Sequence, residues 1–147
     1  MQPKRLYRYD SAFLSKLEYL LLGDLRLLLV EPPTPESRHQ LVTLLDELFG
    51  MLPFRIAAKE EGGYLTDVTK SFPGWGDQVQ ALGAEHGILY EELRELRAAV
   101  NEDGDFPAHA AGLFSRIGEW MERYARHEKE ERRLLQIATN LELGVGA

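Results

Sequence analysis

Four stretches of this chain repeat apolar side chains every three or four residues, the spacing that lays them along one face of an α-helix. The first, from about residue 11 to 30, carries a wide band of Phe13, Leu14, Leu17, Leu20, Leu21, Leu25 and Leu28. Asp10 or Ser11 can cap its start, and Pro32-Pro33 stops it, because consecutive prolines cannot continue a helix. The second, from about 35 to 69, opens on Thr34-Pro35-Glu36, a helix-start signal. Its line reads Leu41, Leu44, Leu48, Met51, Phe54, Ala57, Glu61, Leu65 and Val68. Pro53 is expected to kink this helix, and Gly62-Gly63 to weaken it.

A turn at Ser71-Phe-Pro-Gly-Trp-Gly-Asp leads to the third helix, about 75 to 100, whose line is Val79, Leu82, His86, Leu89, Leu93, Leu96 and Val100. The fourth, about 106 to 141, follows Asn101-Glu-Asp-Gly-Asp and carries Leu113, Ile117, Trp120, Tyr124, His127, Glu131, Leu134 and Ala138. No segment has strand periodicity. Four helices joined by short Pro/Gly turns predict an all-α fold, an antiparallel up-and-down four-helix bundle, with residues 1–147 as one domain.

Composition narrows the function classes. The 147 residues contain no cysteine, which removes disulfides, Cys-based zinc sites and thiol nucleophiles and fits a reducing, cytoplasmic setting. Seventeen basic against 24 acidic residues leave a net charge of -7, and no basic stripe with interleaved aromatics suggests a nucleic-acid partner. Asp24 and Arg26 interrupt the most apolar stretch, Leu20 to Val30, which is far short of a membrane span. No serine, cysteine or phosphate-loop motif points to an enzyme.

The candidate chemistry lies where the apolar lines are interrupted. His127 and Glu131, four residues apart, share one helix face inside the stripe that runs from Leu113 to Ala138. His86 is the polar member of its line and is flanked by Gly83 and Gly87, which would let a neighbouring helix or a metal site come close. Glu61 falls on the second line. A charged group on a core-facing stripe is costly unless paired, hydrogen-bonded or bound to a metal. Glu61, His86, His127 and Glu131 are therefore the candidate metal ligands, and bundle cores build metal sites from such inward Glu and His. Drift of the stripe, leaving these groups at the solvent edge, is the plainer alternative. His39 and His109 sit in first helical turns and are expected to be exposed.

At these residues the chain resembles the hemerythrin-like, or HHE cation-binding, domains. His127-Glu-Lys-Glu-Glu131-Arg-Arg-Leu-Leu is similar to that family's C-terminal motif, and Glu85-His86 to its central segment. Lys59-Glu60-Glu61-Gly-Gly-Tyr-Leu65 aligns with Lys129 to Leu135 and so resembles the N-terminal copy. The resemblance covers roughly Leu41 to Leu141 and implies a four-helix bundle around a histidine-rich non-haem di-iron centre. Two of the expected histidines are missing: the counterpart of His127 is Ala57, and Ser11 to Val30 contains none.

Three readings follow from that departure. Glu61, His86, His127 and Glu131 could hold a single ion, with non-haem iron, zinc or manganese all suited to N/O ligands. The four could instead form a metal-free hydrogen-bonded cluster, such as Glu131 with His127 and Glu61 with His86. Or Tyr7, Tyr9, Glu18 or Tyr19 could repair the ligand shell. Function divides in the same way. The chain is either a cation-binding bundle for metal, oxygen or redox sensing, or a metal-free interaction protein. In the latter case it would form a homodimer or engage another protein through its first helix and the Trp75 turn.

Overall fold

The computed structural model describes residues 11–61 and 64–146, with side chains except at 11, 60, 61, 64, 67 and 142–146. Those residues are helical throughout apart from short connections, with no strand among them. The elements are α1 (Ser11–Leu29), α2 (Pro35–Glu61), α3 (Tyr64–Ser71), a 3-10 turn (Pro73–Trp75), α4 (Gly76–Glu102) and α5 (Phe106–Gly146). Five α-helices thus stand where four were expected. The second periodic stretch is divided between two elements: α2 ends at Glu61 and α3 begins at Tyr64. The sequence between them is Gly62-Gly63, and glycine costs about 1 kcal/mol relative to alanine in a helix interior. Pro53, by contrast, lies inside α2 without ending it.

Helix ends are set by local chemistry. The Thr34 hydroxyl accepts from the Ser37 amide at 3.0 Å, while the Thr34 amide donates to the Ser37 hydroxyl oxygen at 2.7 Å. This reciprocal pair caps α2 as a capping box does, with serine in the place usually taken by Glu or Gln. One turn on, the Arg38 guanidinium donates to the carbonyls of Val100, Asn101 and Asp103 at the end of α4. A cation there satisfies acceptors the helix cannot and offsets the negative end of its dipole. The same guanidinium lies 5.6 Å from the centre of the Phe106 ring, which opens α5. His109, exposed as expected, is held above its ordinary pKa by a hydrogen bond to Asp103.

The core is one cluster to which α1, α2, α4 and α5 contribute, centred on Leu25, Leu45, Leu48, Met51, Leu93, Val100, Ile117 and Trp120. Trp120 is fully buried, and its indole donates to the Leu89 carbonyl at 2.9 Å, so the buried N–H is satisfied across the α4–α5 interface. Every member of the α5 line from Leu113 to Ala138 is buried, His127 and Glu131 included. On α1 the expected band is too wide: Phe13 and Leu20 are exposed, and the buried line is Leu14, Glu18, Leu25 and Leu28. No described helix is long and apolar enough to cross a membrane.

Leu93 is fully buried and Leu20 is half-exposed, which gives a direct test of where the core lies. Leu93→Ala should cost about 3 kcal/mol, from lost transfer energy plus a cavity, and Leu20→Ala under about 0.5. Urea titrations followed by circular dichroism would show a lower midpoint for the first variant and an unchanged one for the second.

Candidate metal centre

Beyond Tyr124 the α5 stripe leaves the apolar cluster and presents His127, Glu128 and Glu131 to the interior. Three atoms converge there. The Glu131 carboxylate oxygen Oε2 lies 2.6 Å from His86 Nε2 and 3.3 Å from His127 Nε2. The two Nε2 atoms are 3.2 Å apart. A circle through these three atoms has a radius of about 1.8 Å, so one point above their plane lies about 2.1 Å from each, the usual metal–N/O bond length. His86, His127 and Glu131 thus form a compact two-histidine, one-carboxylate group on α4 and α5 that could hold an ion.

The outer contacts orient that group. The His127 side chain is 0% exposed, and its Nδ1 lies 2.6 Å from the half-exposed Glu85 carboxylate on α4. With Nδ1–H donating to Glu85, the Nε2 lone pair faces His86 and Glu131. A carboxylate behind a ligating imidazole is the usual second support of a metal-bound histidine. Glu131 is tied on its other side: Oε1 accepts from the Lys59 ammonium at 2.7 Å. Lys59 also donates to Glu128 at 2.7 Å, and Glu128 accepts from Arg55 at 3.0 Å. Arg55 in turn donates to Glu18 on α1 at 2.9 Å, and the Tyr124 hydroxyl closes the chain on the same Glu18 oxygen.

The sequence expectations divide here. Three of the four candidate ligands, His86, His127 and Glu131, meet. Glu61 is the last residue of α2, and its side chain lies outside the described residues. Of the residues proposed to repair the shell, Tyr19 is exposed and Glu18 is buried but bonded to Arg55 and Tyr124 rather than to the triad. Tyr7 and Tyr9 lie outside the described residues. No neighbour comes close at Gly83 or Gly87, where a Cβ would meet nothing within 4 Å.

Arg55, Lys59 and the inward role of Glu128 were missed. The α2 line was drawn through Leu44, Met51, Phe54 and Ala57, yet Ala57 is exposed. The buried spacing Leu41, Leu45, Leu48, Leu52 continues without a break to Arg55 and Lys59, and that heptad was the available signal. Glu128, on α5, pairs inward with Arg55 and Lys59.

Burial alone would push the Glu131 carboxyl up, but hydrogen bonds from His127 and His86 and the Lys59 charge hold it well below the usual carboxylate range. Burial would likewise lower His127, yet its bonds to Glu131 and Glu85 outweigh that and raise it above an ordinary imidazole. Glu18 is raised by burial and by Glu128, against the pull of Arg55. Burial, then Glu18 and Glu128, push the Tyr124 hydroxyl well above its ordinary value.

No family model matches this chain, and no solved structure matches it. A curated relative, GPI ethanolamine phosphate transferase 2 of Kluyveromyces lactis, is 30% identical over 92 residues. Those residues are 62% of this chain and 11% of the yeast protein, so the chain spans a small part of that relative's length.

Two outcomes test the network itself. Lys59→Met removes the cation between Glu128 and Glu131 and should cost about 3 kcal/mol, because each carboxylate loses a buried partner; chemical denaturation would measure it. In metal-free protein, a raised folded-state pKa means His127 contributes stability that is fully present below its unfolded value of about 6.5. That contribution is lost as pH rises through the folded value. Thermal melts across this window should fall with pH in the wild type and be flatter in His127→Gln.

Proposed function

We propose that this protein is a hemerythrin-like cation-binding bundle with a reduced site, holding one divalent ion at His86, His127 and Glu131. In this reading α1, α2, α4 and α5 are the four antiparallel members and α3 is an addition that follows α2 and also packs against α5. The family assignment rests on the residues themselves. The observation that carries the metal reading is the triangle of Nε2, Nε2 and Oε2, backed on one imidazole by Glu85.

Charge supports the same reading. Among the described residues, Glu18, Glu85, Glu128 and Glu131 face two permanent cations in this network, Arg55 and Lys59. With both imidazoles neutral the network is two positive charges short, which one divalent ion supplies. A second ion does not fit, because the Lys59 ammonium already occupies the far side of Glu131, where a bridging carboxylate would meet it. This disfavours a di-iron centre and favours a single one.

A bound ion would supply Lewis acidity or, as iron or manganese, a one-electron redox couple suited to sensing metal, oxygen or redox state. The protein's part is to exclude water by burying His127 and Glu131, and to fix the imidazole tautomer through Glu85. Lys59 anchors the carboxylate. We place the protein in the cytoplasm on the strength of its cysteine-free sequence. A second reading, a metal-free interaction protein, is favoured by one observation: protons on the imidazoles would satisfy the same atoms without an ion.

Elemental analysis of untagged protein, before and after anaerobic loading with ferrous iron, separates the two. About one retained equivalent of Fe, Mn or Zn is expected, and none in His127→Ala with unchanged helical circular dichroism. Absence of metal from loaded wild type would sink the cation-binding reading and leave the metal-free one.

A further inference from the structure

Beside the triad lies a cavity of about 510 Å³, within the range of small-molecule sites. Its walls are mainly apolar, with Ile56 from α2, Leu65 from α3 and Tyr90 from α4. Among the described residues its basic lining is Lys59 and His86, and these two mark one end, because they grip the two oxygens of the same Glu131 carboxylate at 2.7 and 2.6 Å. The space exists because of small residues: Ala57 and Gly83 line it, and a Cβ at Gly83 would meet nothing within 4 Å.

We infer that this cavity binds a small monocarboxylate with an apolar tail, and does so when the neighbouring triad carries a divalent ion. The shape of the lining sets the ligand class: an apolar body against Ile56, Leu65 and Tyr90, and one anionic head at Lys59 and His86. Electrostatics sets the condition. Three buried carboxylates, Glu18, Glu128 and Glu131, share two cations, Arg55 and Lys59, so an anion entering the empty site meets an excess of carboxylates. One divalent ion cancels that excess, and the Lys59–His86 end then accepts a carboxylate. His86 links the two sites, being both a triad member and part of the cavity wall. The inference rests on the single-ion reading above.

The test uses the whole chain at pH 8, with metal content measured first and calorimetric titration of octanoate and of octanol afterwards. Octanoate should bind the loaded protein at least roughly tenfold more tightly than the metal-free protein, the scale of a charge interaction a few ångströms away. Octanol, with the same tail and no charge, should bind both forms alike. Gly83→Leu, which fills the cavity at a position with better helix propensity than glycine, should lose both ligands and keep the metal stoichiometry. Metal retained without tighter octanoate binding overturns the inference and leaves the metal reading standing. Equal metal dependence for octanol, or undiminished octanoate binding in Gly83→Leu, also overturns it. Failure of the wild type to load metal removes both.

Discussion

The Glu131 carboxylate is the contact on which the interior of this protein turns. One oxygen holds the two imidazoles, on α4 and α5, and the other holds the Lys59 ammonium of α2. A single buried anion thereby fixes the relative position of three helices. Its strongly lowered pKa reflects the same three partners acting against the cost of burial. Replacing it would leave two imidazoles and an ammonium turned towards each other, with Glu85 and Glu128 as their remaining counter-charges, a costly arrangement in a core.

Around that carboxylate the protein separates two tasks along one helix. From Phe106 to Tyr124, α5 contributes to an apolar cluster whose stability comes from area removed from water. From His127 to Glu131 it carries ionised groups that repay their desolvation only through mutual pairing, and beyond them Leu134 and Ala138 are apolar again. An ion network sealed by apolar layers on both sides gives little net stability compared with a hydrocarbon core of the same size. Its value lies in orientation: Glu18, Arg55, Glu128 and Lys59 form a continuous line of partners from α1 to the triad.

The α5 side of this arrangement was legible in the sequence because an uninterrupted 3.6-residue period leaves little choice of face. All eight residues on that line are buried, and His127 and Glu131 follow from it. The all-helical class was legible for the same reason. The α2 side was not. Leucines at 41, 44, 45, 48 and 52 support more than one helical stripe, and a stripe drawn through Ala57 hides Arg55 and Lys59 on the adjacent one. Long cationic side chains are ordinarily read as solvent-facing, since their stems cover apolar surface while their heads reach water. The three buried carboxylates Glu18, Glu128 and Glu131, from two other helices, offset the cost of their burial here.

Trp120 gives this interior an optical reporter of its own. The chain has two tryptophans, and Trp120 is sealed in the core while Trp75 lies in the turn before α4. The Trp120 indole stacks on the Tyr124 ring at 5.1 Å, and the Tyr124 hydroxyl is bonded to Glu18 at the end of the ion network. Indole emission is sensitive to nearby charge and to the stacking partner, so the fluorescence of one buried residue registers events two contacts away. The state of the charged interior can thus be followed by light, without a label and without touching any residue that holds it together.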